Sequence, residues 1–405
     1  MLSQGRTMKV CILTPEFRPA WGGIGTYVSN LAEGLRDKAE VHVLTATPGD
    51  DIRGNGDLDG VHFHSAFPDG GLAPGVSPLR FQLAIMRTLP RLAREYRFDI
   101  LHANHAYMSD LLARLRRYSG STVVTVHTTL ETQTQGTRHA GPGVPRQALE
   151  GRISRWRFVL KALEGHYLRR TPAMIFVSKF VRESTFDRYH IAPRFSTVVP
   201  NAVDTELFLP GLPLEPGSHA SLSHRPTLLF AGRLLALKGI STLLQALRRL
   251  NPEVRLLLAG PGDQGPWKSV ARRLGLEEDR CRFLGSVPYA EMPRLYAGAD
   301  AVVLPSFTES CPMVALEAMA AGVPLIAADA GGVSEIVGDE QTGWLFPPGD
   351  VDRLVDRIVT VLADPARASR VCSRARAWIE THASVDRMAK ETYRFYERVL
   401  AGAAA

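Results

Sequence analysis

Residues 301–327 read AVVLPSFTESCPMVALEAMAAGVPLIA, and this stretch decides the fold class. The apolar run from Ala301 to Leu304 predicts a buried strand, a polar loop follows it, and Pro312 can open a helix at its first position. The run from Pro324 to Ala327 predicts the next strand. A strand, a helix and a second strand in such close succession are typical of a parallel α/β sheet, because parallel strands need a crossover connection.

Two carboxylates lie at the mouth of this predicted helix. Glu309 lies in the loop, and Glu317 lies about a turn inside the helix. A helix N-terminus attracts anions through its free N–H groups, so carboxylates beside it indicate a ligand that carries both phosphates and hydroxyls. The alternative is structural: Glu317 would be a surface helix residue and Glu309 a partner of the helix dipole.

The alternation of strand and helix recurs on both sides of residues 210–226, which are rich in Pro, Gly and Ser and predict a linker. We therefore predict an α/β protein with two doubly wound domains that face a central cleft. The N-terminal domain spans 1–209 and the C-terminal domain 227–383, followed by a helical segment, 384–405. The other predicted elements are a helix over 26–36, a helix over 384–400, and strands at 9–13, 41–44, 100–102, 122–126, 174–177, 227–231, 255–259 and 282–284.

Composition agrees with a soluble chain of two domains. The 405 residues are 45% hydrophobic and 22% charged. They contain no apolar run of about 18 residues and no signal-peptide core, so we expect a cytoplasmic protein. Residues 1–7 look like an irregular extension, and Met8 is an equally good start. The four cysteines show no metal-ligand or disulfide spacing, which favours reduced thiols and no zinc site.

The positive charge is concentrated in the first half of the chain. Residues 1–205 contain 26 Lys and Arg against 18 Asp and Glu, while the remainder contains 22 against 23. A basic surface of this kind attracts an anionic acceptor or a membrane face, or it is simply a solvated surface. No zinc finger or aromatic RNA-binding motif supports a nucleic-acid partner.

One segment of that half combines basic and apolar residues. An amphipathic basic helix can lie on an anionic membrane, or it can equally pack in the domain with its arginines solvated. Peripheral contact with the inner face of the membrane is therefore one hypothesis for this segment, and packing within the domain is the other. The basic residues are Arg138, Arg146, Arg152, Arg155, Arg157, Lys161, Arg169 and Arg170, and the apolar ones are Ile153, Trp156, Phe158, Val159 and Leu160.

Several loops that follow predicted strands carry residues suited to binding anions. Gly22, Gly23 and Gly25 precede a helix and let the backbone approach a ligand closely, although a tight turn with positive φ would need the same glycines. Arg233 and Lys238 follow the strand at 227–231, and their two cations suit a diphosphate that must be neutralised as it departs. The alternative is that they cap carbonyls or pair with surface acids.

Two further loops complete the predicted site. Gly260 and Gly262 follow the strand at 255–259, and with the loop around Val287 they could form a slot for a nucleobase; turn formation alone would favour similar residues. His127 follows the strand at 122–126 and could bond a substrate hydroxyl or stabilise developing charge. It could equally be a histidine that is merely hydrogen-bonded.

Together these motifs resemble a known family. The segments GGIGTYV, VSKF, VVPNAVDTELF, AGRLLALKG, LLLAGPGD and TESCPMVALEAMAAGVPLIAADAGGVSEIV occur in this order and resemble the family 4 retaining glycosyltransferases, which have the GT-B fold. The resemblance runs from about Lys9 to the last predicted helix. It implies two Rossmann-like domains, a C-terminal helix (residues 384–405) that crosses back to the N-terminal domain, a nucleoside-diphosphate-sugar donor and no catalytic metal or other cofactor.

The resemblance also implies roles for individual residues. Arg233 and Lys238 would hold the donor diphosphate, Glu309 would lie beside the donor sugar, and Glu317 would bind the ribose hydroxyls. Gly23 would reach the phosphates, and His127 would lie near the 6-position of the sugar. Donor binding would also involve Gly22, Gly260, Val287, Ser310, Pro312, Met313 and Val314.

The implied reaction is transfer of a sugar from a UDP- or GDP-linked donor to a hydroxyl of a glycan or lipid-linked glycan. Because no second carboxylate is evident as a nucleophile, front-face attack is the mechanistic hypothesis. Many members have Phe-Gly where this chain has Cys311 and Pro312, so one backbone donor is missing at Pro312. The alternatives are a non-catalytic sugar-nucleotide-binding subunit, an epimerase or a phosphorylase.

Overall fold

The computed structural model describes residues 6–17, 22–47, 56–67, 78–116, 121–141, 143–213 and 225–403. Residues 1–5, part of the predicted glycine loop and most of the predicted linker lie outside these ranges. The chain divides into two compact units: unit 1 comprises Met1–Thr129, Ala162–Ala202 and Val385–Ala405, and unit 2 comprises Leu130–Lys161 and Val203–Ser384.

Unit 1 is built on an eight-stranded sheet. Its strands are β1 (Lys9–Glu16), β2 (Glu40–Thr47), β3 (Gly56–Leu58), β4 (Val61–Ser65), β5 (Ile100–Asn104), β6 (Ser121–Val126), β7 (Ala173–Phe176) and β8 (Phe195–Val198). The spatial order is β3-β4-β2-β1-β5-β6-β7-β8, and every pairing is parallel except β3 with β4. The order reverses between β1 and β5, which is where ligands of doubly wound sheets bind.

Helices cover both faces of this sheet, as expected where strands are apolar on both sides. In unit 1 they include α1 (Gly23–Leu35), α2 (Pro78–Tyr96) and α5 (Lys179–Tyr189). Two further helices follow β6 in the chain, α3 (Leu130–His139) and α4 (Ala148–Arg169), and of these α3 and the first part of α4 belong to unit 2. The core contains Val10 and Ile12 of β1 together with Leu31 of α1.

Unit 2 is built on a six-stranded parallel sheet. Its strands are β9 (Thr227–Ala231), β10 (Arg255–Ala259), β11 (Cys281–Gly285), β12 (Ala301–Leu304), β13 (Leu325–Ala328) and β14 (Trp344–Phe346), in the order β11-β10-β9-β12-β13-β14. The chain order reverses between β9 and β12. Around it lie α6 (Ile240–Arg249), α7 (Gly265–Arg273), α8 (Met292–Ala297), α9 (Met313–Ala320), α10 (Val351–Ala363) and α11 (Pro365–His382).

The last helix, α12 (Val385–Ala403), belongs to unit 1, and its Phe395 and Tyr396 are buried in the core of that unit. Residues 130–161, in contrast, group with unit 2. Glu150 accepts a hydrogen bond from the Ala236 N–H at 3.1 Å, and a Cβ on Gly136 would lie 2.3 Å from Thr308. Residues 130–161 therefore pack with unit 2, although the sequence predicted them in the N-terminal domain.

The predicted class, two doubly wound α/β sheets, is confirmed. Each predicted strand coincides with an observed one, but β3, β4, β8 and β14 were missed. They are short or, like β4 with the sequence VHFHS, place histidines where an apolar run was sought. The helix predicted over 26–36 begins earlier, at Gly23. Pro312 is the N-cap of α9 rather than its first residue.

Candidate active site

A polar contact in unit 2 joins the two loops at the reversal of the strand order. Lys238, after β9, donates from Nζ to Oε1 of Glu309, after β12, at 2.6 Å. The Ser306 hydroxyl donates to the same oxygen at 2.7 Å. The Glu309 side chain is 9% exposed and that of Lys238 is 21% exposed. The carboxylate is thus held in place, because two donors converge on one of its oxygens while little of it contacts water.

Arg233 follows the same strand, and its side chain is exposed. Its guanidinium makes no hydrogen bond or ion pair with the part of the chain that the structure describes, so for Arg233 the structural alternative of capping carbonyls or pairing with surface acids finds no support there. Lys238 does pair with an acid, but that acid is the largely buried Glu309. Among the described residues, the loop after β9 therefore carries a guanidinium without a protein partner and an ammonium that is paired with a carboxylate.

The N-terminus of α9 provides further donors. Pro312 is the N-cap, with φ −71° and ψ 121°, and its carbonyl accepts from the N–H groups of Ala315 and Leu316. Within the described ranges, the N–H groups of Met313 and Val314 have no hydrogen-bond partner. Free N–H groups in the first turn carry partial positive charge and favour an anion.

Glu317 lies inside α9, and its residue is 5% exposed. The Tyr296 hydroxyl donates to its Oε2 at 2.7 Å. Burial raises the pKa of Glu317 to about 7, although the nearby hydroxyls of Tyr296 and Tyr289 lower it in part. The alternative that Glu317 is a surface residue is therefore wrong, and at neutral pH its carboxyl lies near the midpoint of its titration.

The tyrosines were missed by sequence reasoning. Tyr296 lies in α8 and Tyr289 in the preceding loop, and neither belongs to a motif that marks a binding site. A usable signal would have been the apolar neighbourhood of Glu317, because an acid within the run MVALEAMA needs a buried partner.

Glycines allow the loops of unit 2 to approach one another. Gly260 has φ +144°, and a Cβ there would lie 1.9 Å from the Gly232 carbonyl oxygen. Gly239, next to Lys238, has φ +70°, and a Cβ there would lie 1.8 Å from the Pro305 carbonyl oxygen. No other residue type fits these positions without backbone movement. Val287 is half-buried after β11, and its contact with a nucleobase stays a prediction.

The glycines of the unit 1 loop, unlike those of unit 2, do not have positive φ angles. Gly22 is the N-cap of α1 with an extended backbone, φ −170°, and Gly23 is the first helical residue. Neither these two nor Gly25 has a positive φ, so the tight-turn alternative is wrong. Gly25 is buried in α1. The roles of Gly22 and Gly23 in donor binding stay predictions.

His127 follows β6 in unit 1 and is buried. Its Nε2 donates to Oδ1 of Asn104, the last residue of β5, at 3.0 Å, and its ring packs edge-on against Tyr27. Burial lowers the pKa of His127 to about 3, so the imidazole is neutral at pH 7. It can exchange hydrogen bonds with a hydroxyl but cannot serve as a cation. Its place near a sugar stays a prediction.

Comparison with known proteins shows to which family this chain belongs. The Glycosyltransferase Family 4 model matches residues 21–207, and the model for group 1 glycosyl transferases matches residues 214–378. Glycogen synthase of Mycobacterium tuberculosis is 30% identical over 391 residues, which cover 91% of this chain and 89% of that protein. The chain belongs to the group 1, family 4 glycosyltransferases and is a transferase with the GT-B fold.

Two further matches agree. A GDP-mannose-dependent α-(1-6)-phosphatidylinositol monomannoside mannosyltransferase of Mycobacterium tuberculosis is 27% identical over 402 residues, covering 92% of this chain and 93% of the relative. The structure of sucrose-phosphate synthase from Thermosynechococcus elongatus superposes with a TM-score of 0.80 at 23% identity, covering 98% of this chain and 100% of the other, and this match supports the fold.

None of the helices within the described ranges has the length and apolarity needed to cross a membrane.

Proposed function

We propose that this glycosyltransferase transfers a sugar from a UDP- or GDP-linked donor to a glycan or lipid-linked hydroxyl, with retention of anomeric configuration and without a catalytic metal. The contact between Lys238 and Glu309, at the reversal point of the unit 2 sheet, carries the proposal. It combines a cation for the leaving group with a carboxylate for the sugar. The sequence motifs around both residues support the same roles.

The diphosphate leaves with additional negative charge when the bond from the sugar C1 to the phosphate oxygen breaks. In the proposed mechanism Arg233, Lys238 and the first-turn N–H groups of α9 stabilise that charge, which is electrostatic stabilisation rather than acid catalysis. Side-chain cations and helix amides take the part that a metal ion plays in other phosphate-transferring sites.

The acceptor oxygen then attacks C1 from the face that the diphosphate leaves. The acceptor proton passes to the departing phosphate oxygen, so the new C1–O bond forms as the old one breaks and the configuration is retained. Glu309 would orient the sugar, since Lys238 and Ser306 fix its carboxylate. Glu317 would accept hydrogen bonds from the ribose hydroxyls in its ionised form.

Donor choice is testable by ligand-induced stabilisation. A ligand that binds the folded state raises the unfolding temperature by an amount that depends on its concentration and affinity. Thermal unfolding with UDP, GDP and ADP, each at equal concentration, should give its largest shift with UDP or GDP. A larger shift with ADP would contradict the proposed donor class, and equal shifts would contradict base recognition.

Transfer itself is tested by substitution. Lys238→Ala and Glu309→Ala should each abolish transfer while circular dichroism shows a folded chain, and full activity in either would overturn the proposed roles. Lys268→Ala is a matched control, because Lys268 is a partly buried lysine of α7 in the same unit. Transfer should persist in EDTA. The anomeric proton coupling of the product should match that of the donor.

We further propose that the acceptor is lipid-linked and that α4 contacts an anionic membrane. In α4, Trp156 is 59% exposed and Phe158 is 73% exposed, and Val159 and Arg155 beside them are exposed too. The Arg157 guanidinium lies 4.6 Å from the centroid of the Phe158 ring. Aromatic side chains with neighbouring arginines suit the boundary between acyl chains and anionic headgroups. The side chains of Arg152 and Ile153 lie outside the described part.

Vesicle co-sedimentation tests this surface. The chain should bind phosphatidylglycerol vesicles at low salt and bind phosphatidylcholine vesicles much less. Replacing Trp156 and Phe158 together by Ser should weaken binding by at least tenfold, since each buried aromatic side chain contributes roughly 1.5–3 kcal/mol. Val359→Ser is the control, because Val359 is an exposed apolar residue of α10. Absence of binding at low salt would remove the membrane proposal and leave the transfer proposal intact.

A further inference from the structure

A cluster of histidines and acids lies on the sheet of unit 1, at the start of β2. Glu40 and His42 are two positions apart in β2, so their side chains lie on the same face of the sheet. His42 is in register with His62 of the parallel strand β4. One ligand atom from each of Glu40, His42 and His62 lies within 4.8 Å of the others. His42 Nε2 is 3.0 Å from Oε1 of Glu40.

Both imidazoles have an outer partner. His62 Nδ1 is hydrogen-bonded to Asp57 of β3, and His42 Nδ1 lies 2.9 Å from Nε2 of His64. Histidines that bind metals generally have such a partner on their other nitrogen, because it fixes the ring orientation and the tautomer. The rings of His42 and His62 are also stacked, with centroids 4.7 Å apart. The cluster therefore has supporting contacts around its three candidate ligands.

One feature opposes a cation. Lys9 of β1 donates from Nζ to Oε1 of Glu40 at 2.8 Å, and its positive charge competes with a metal for that carboxylate. The second carboxylate oxygen and the half-exposed ring of His62 allow a metal to bind beside the ammonium. The affinity should accordingly be moderate and should respond to the charge at Lys9.

We propose that Glu40, His42 and His62 form a binding site for a divalent transition metal ion of the Zn²⁺ class, with water completing the coordination. Two nitrogens and one oxygen are a donor set that such ions accept. Tetrahedral coordination needs ligand atoms roughly 3.3 Å apart, given bonds of about 2.0 Å, so His62 must rotate inward, and its exposure permits that. The site lies near the amino ends of β2 and β4 in unit 1, whereas the proposed transfer chemistry involves Lys238 and Glu309, in loops that follow strands of unit 2.

The experiment uses the full-length chain without an affinity tag, stripped with EDTA and dialysed. Calorimetric titration with ZnCl₂ should show one equivalent bound with a dissociation constant in the micromolar range. Co²⁺ should give visible absorption bands of a four-coordinate ion. His62→Gln and Glu40→Gln should each weaken Zn²⁺ binding at least tenfold, and Lys9→Met should tighten it by removing the competing charge.

His166→Gln is the matched control, since His166 is an exposed histidine of α4 outside the cluster. Circular dichroism establishes that each variant is folded, and His62 is the safest substitution because its side chain is 41% exposed. Absence of a stoichiometric site in the wild type overturns the proposal. Equal binding by wild type and His62→Gln overturns it as well.

Discussion

Replacing Glu317 by Gln tests how the protein tolerates an ionisable group inside a helix packed against a sheet. The residue is buried, and its carboxylate accepts a hydrogen bond from Tyr296 at 2.7 Å. Gln has nearly the same shape and can accept the same hydrogen bond, but it carries no charge at any pH. The two proteins should therefore differ in how their stability depends on pH.

The magnitude follows from the pKa. Burial raises the pKa of Glu317 from 4.5 to about 7. Each pKa unit corresponds to about 1.4 kcal/mol, so ionisation of this group opposes folding by about 3 kcal/mol once the pH exceeds 7. Because the folded-state pKa is the higher one, the contribution to stability is full below pH of roughly 4.5 and is lost as the pH rises through 7.

The assay is urea unfolding at pH 5 and pH 8.5, followed by tryptophan fluorescence, for which Trp267 and Trp344 are buried reporters in unit 2. From pH 5 to pH 8.5, Glu317→Gln should gain about 2.5 kcal/mol in free energy of unfolding relative to wild type, because wild type has already lost part of the contribution at pH 5. Glu278→Gln, at an exposed glutamate of the same unit, should show no such gain. Parallel pH profiles for wild type and Glu317→Gln would refute the reasoning.

The other predictions concern packing. Gly239→Ala should lower the free energy of unfolding by at least about 2 kcal/mol, because its Cβ would lie 1.8 Å from the Pro305 carbonyl oxygen. Gly275→Ala, at nearly the same φ but with open space around it, should lower it by only about 1 kcal/mol; equal losses in denaturant titrations would contradict the steric explanation. Tyr396→Phe should lower stability by about 1–3 kcal/mol, since it removes the hydroxyl that lies 2.5 Å from Nδ1 of the buried His102. A change below about 0.5 kcal/mol in thermal or denaturant unfolding would contradict that assignment.

Whether a strand was predicted correctly depended on the length of its apolar run. Strands such as β9, β10 and β12 were predicted because each is a run of apolar residues flanked by turn residues. The loops after them were recognised because glycine and charged residues interrupt those runs. The missed strands β3 and β14 have three residues each, which is too short for any periodicity.

In the candidate site, too, some features were predicted from the sequence and others were not. Arg233, Lys238, Glu309 and Glu317 were identified from residue type and position after a strand or inside a helix. Their contacts were not, since Lys238 and Glu309 are 71 residues apart in sequence. Tyr296 was missed because a tyrosine in a short amphipathic helix has no distinguishing pattern before its partner is known.

The sequence by itself determined the alternation of strands and helices, the family and the residue types available for binding a diphosphate and a sugar. The tertiary structure decided which of them meet. The reversal of strand order between β9 and β12 brings Lys238 to Glu309, and the register of β2 with β4 brings His42 to His62. The physical reason is that local patterns set secondary structure, whereas long-range contacts depend on strand order and burial, which also shift the pKa of Glu317.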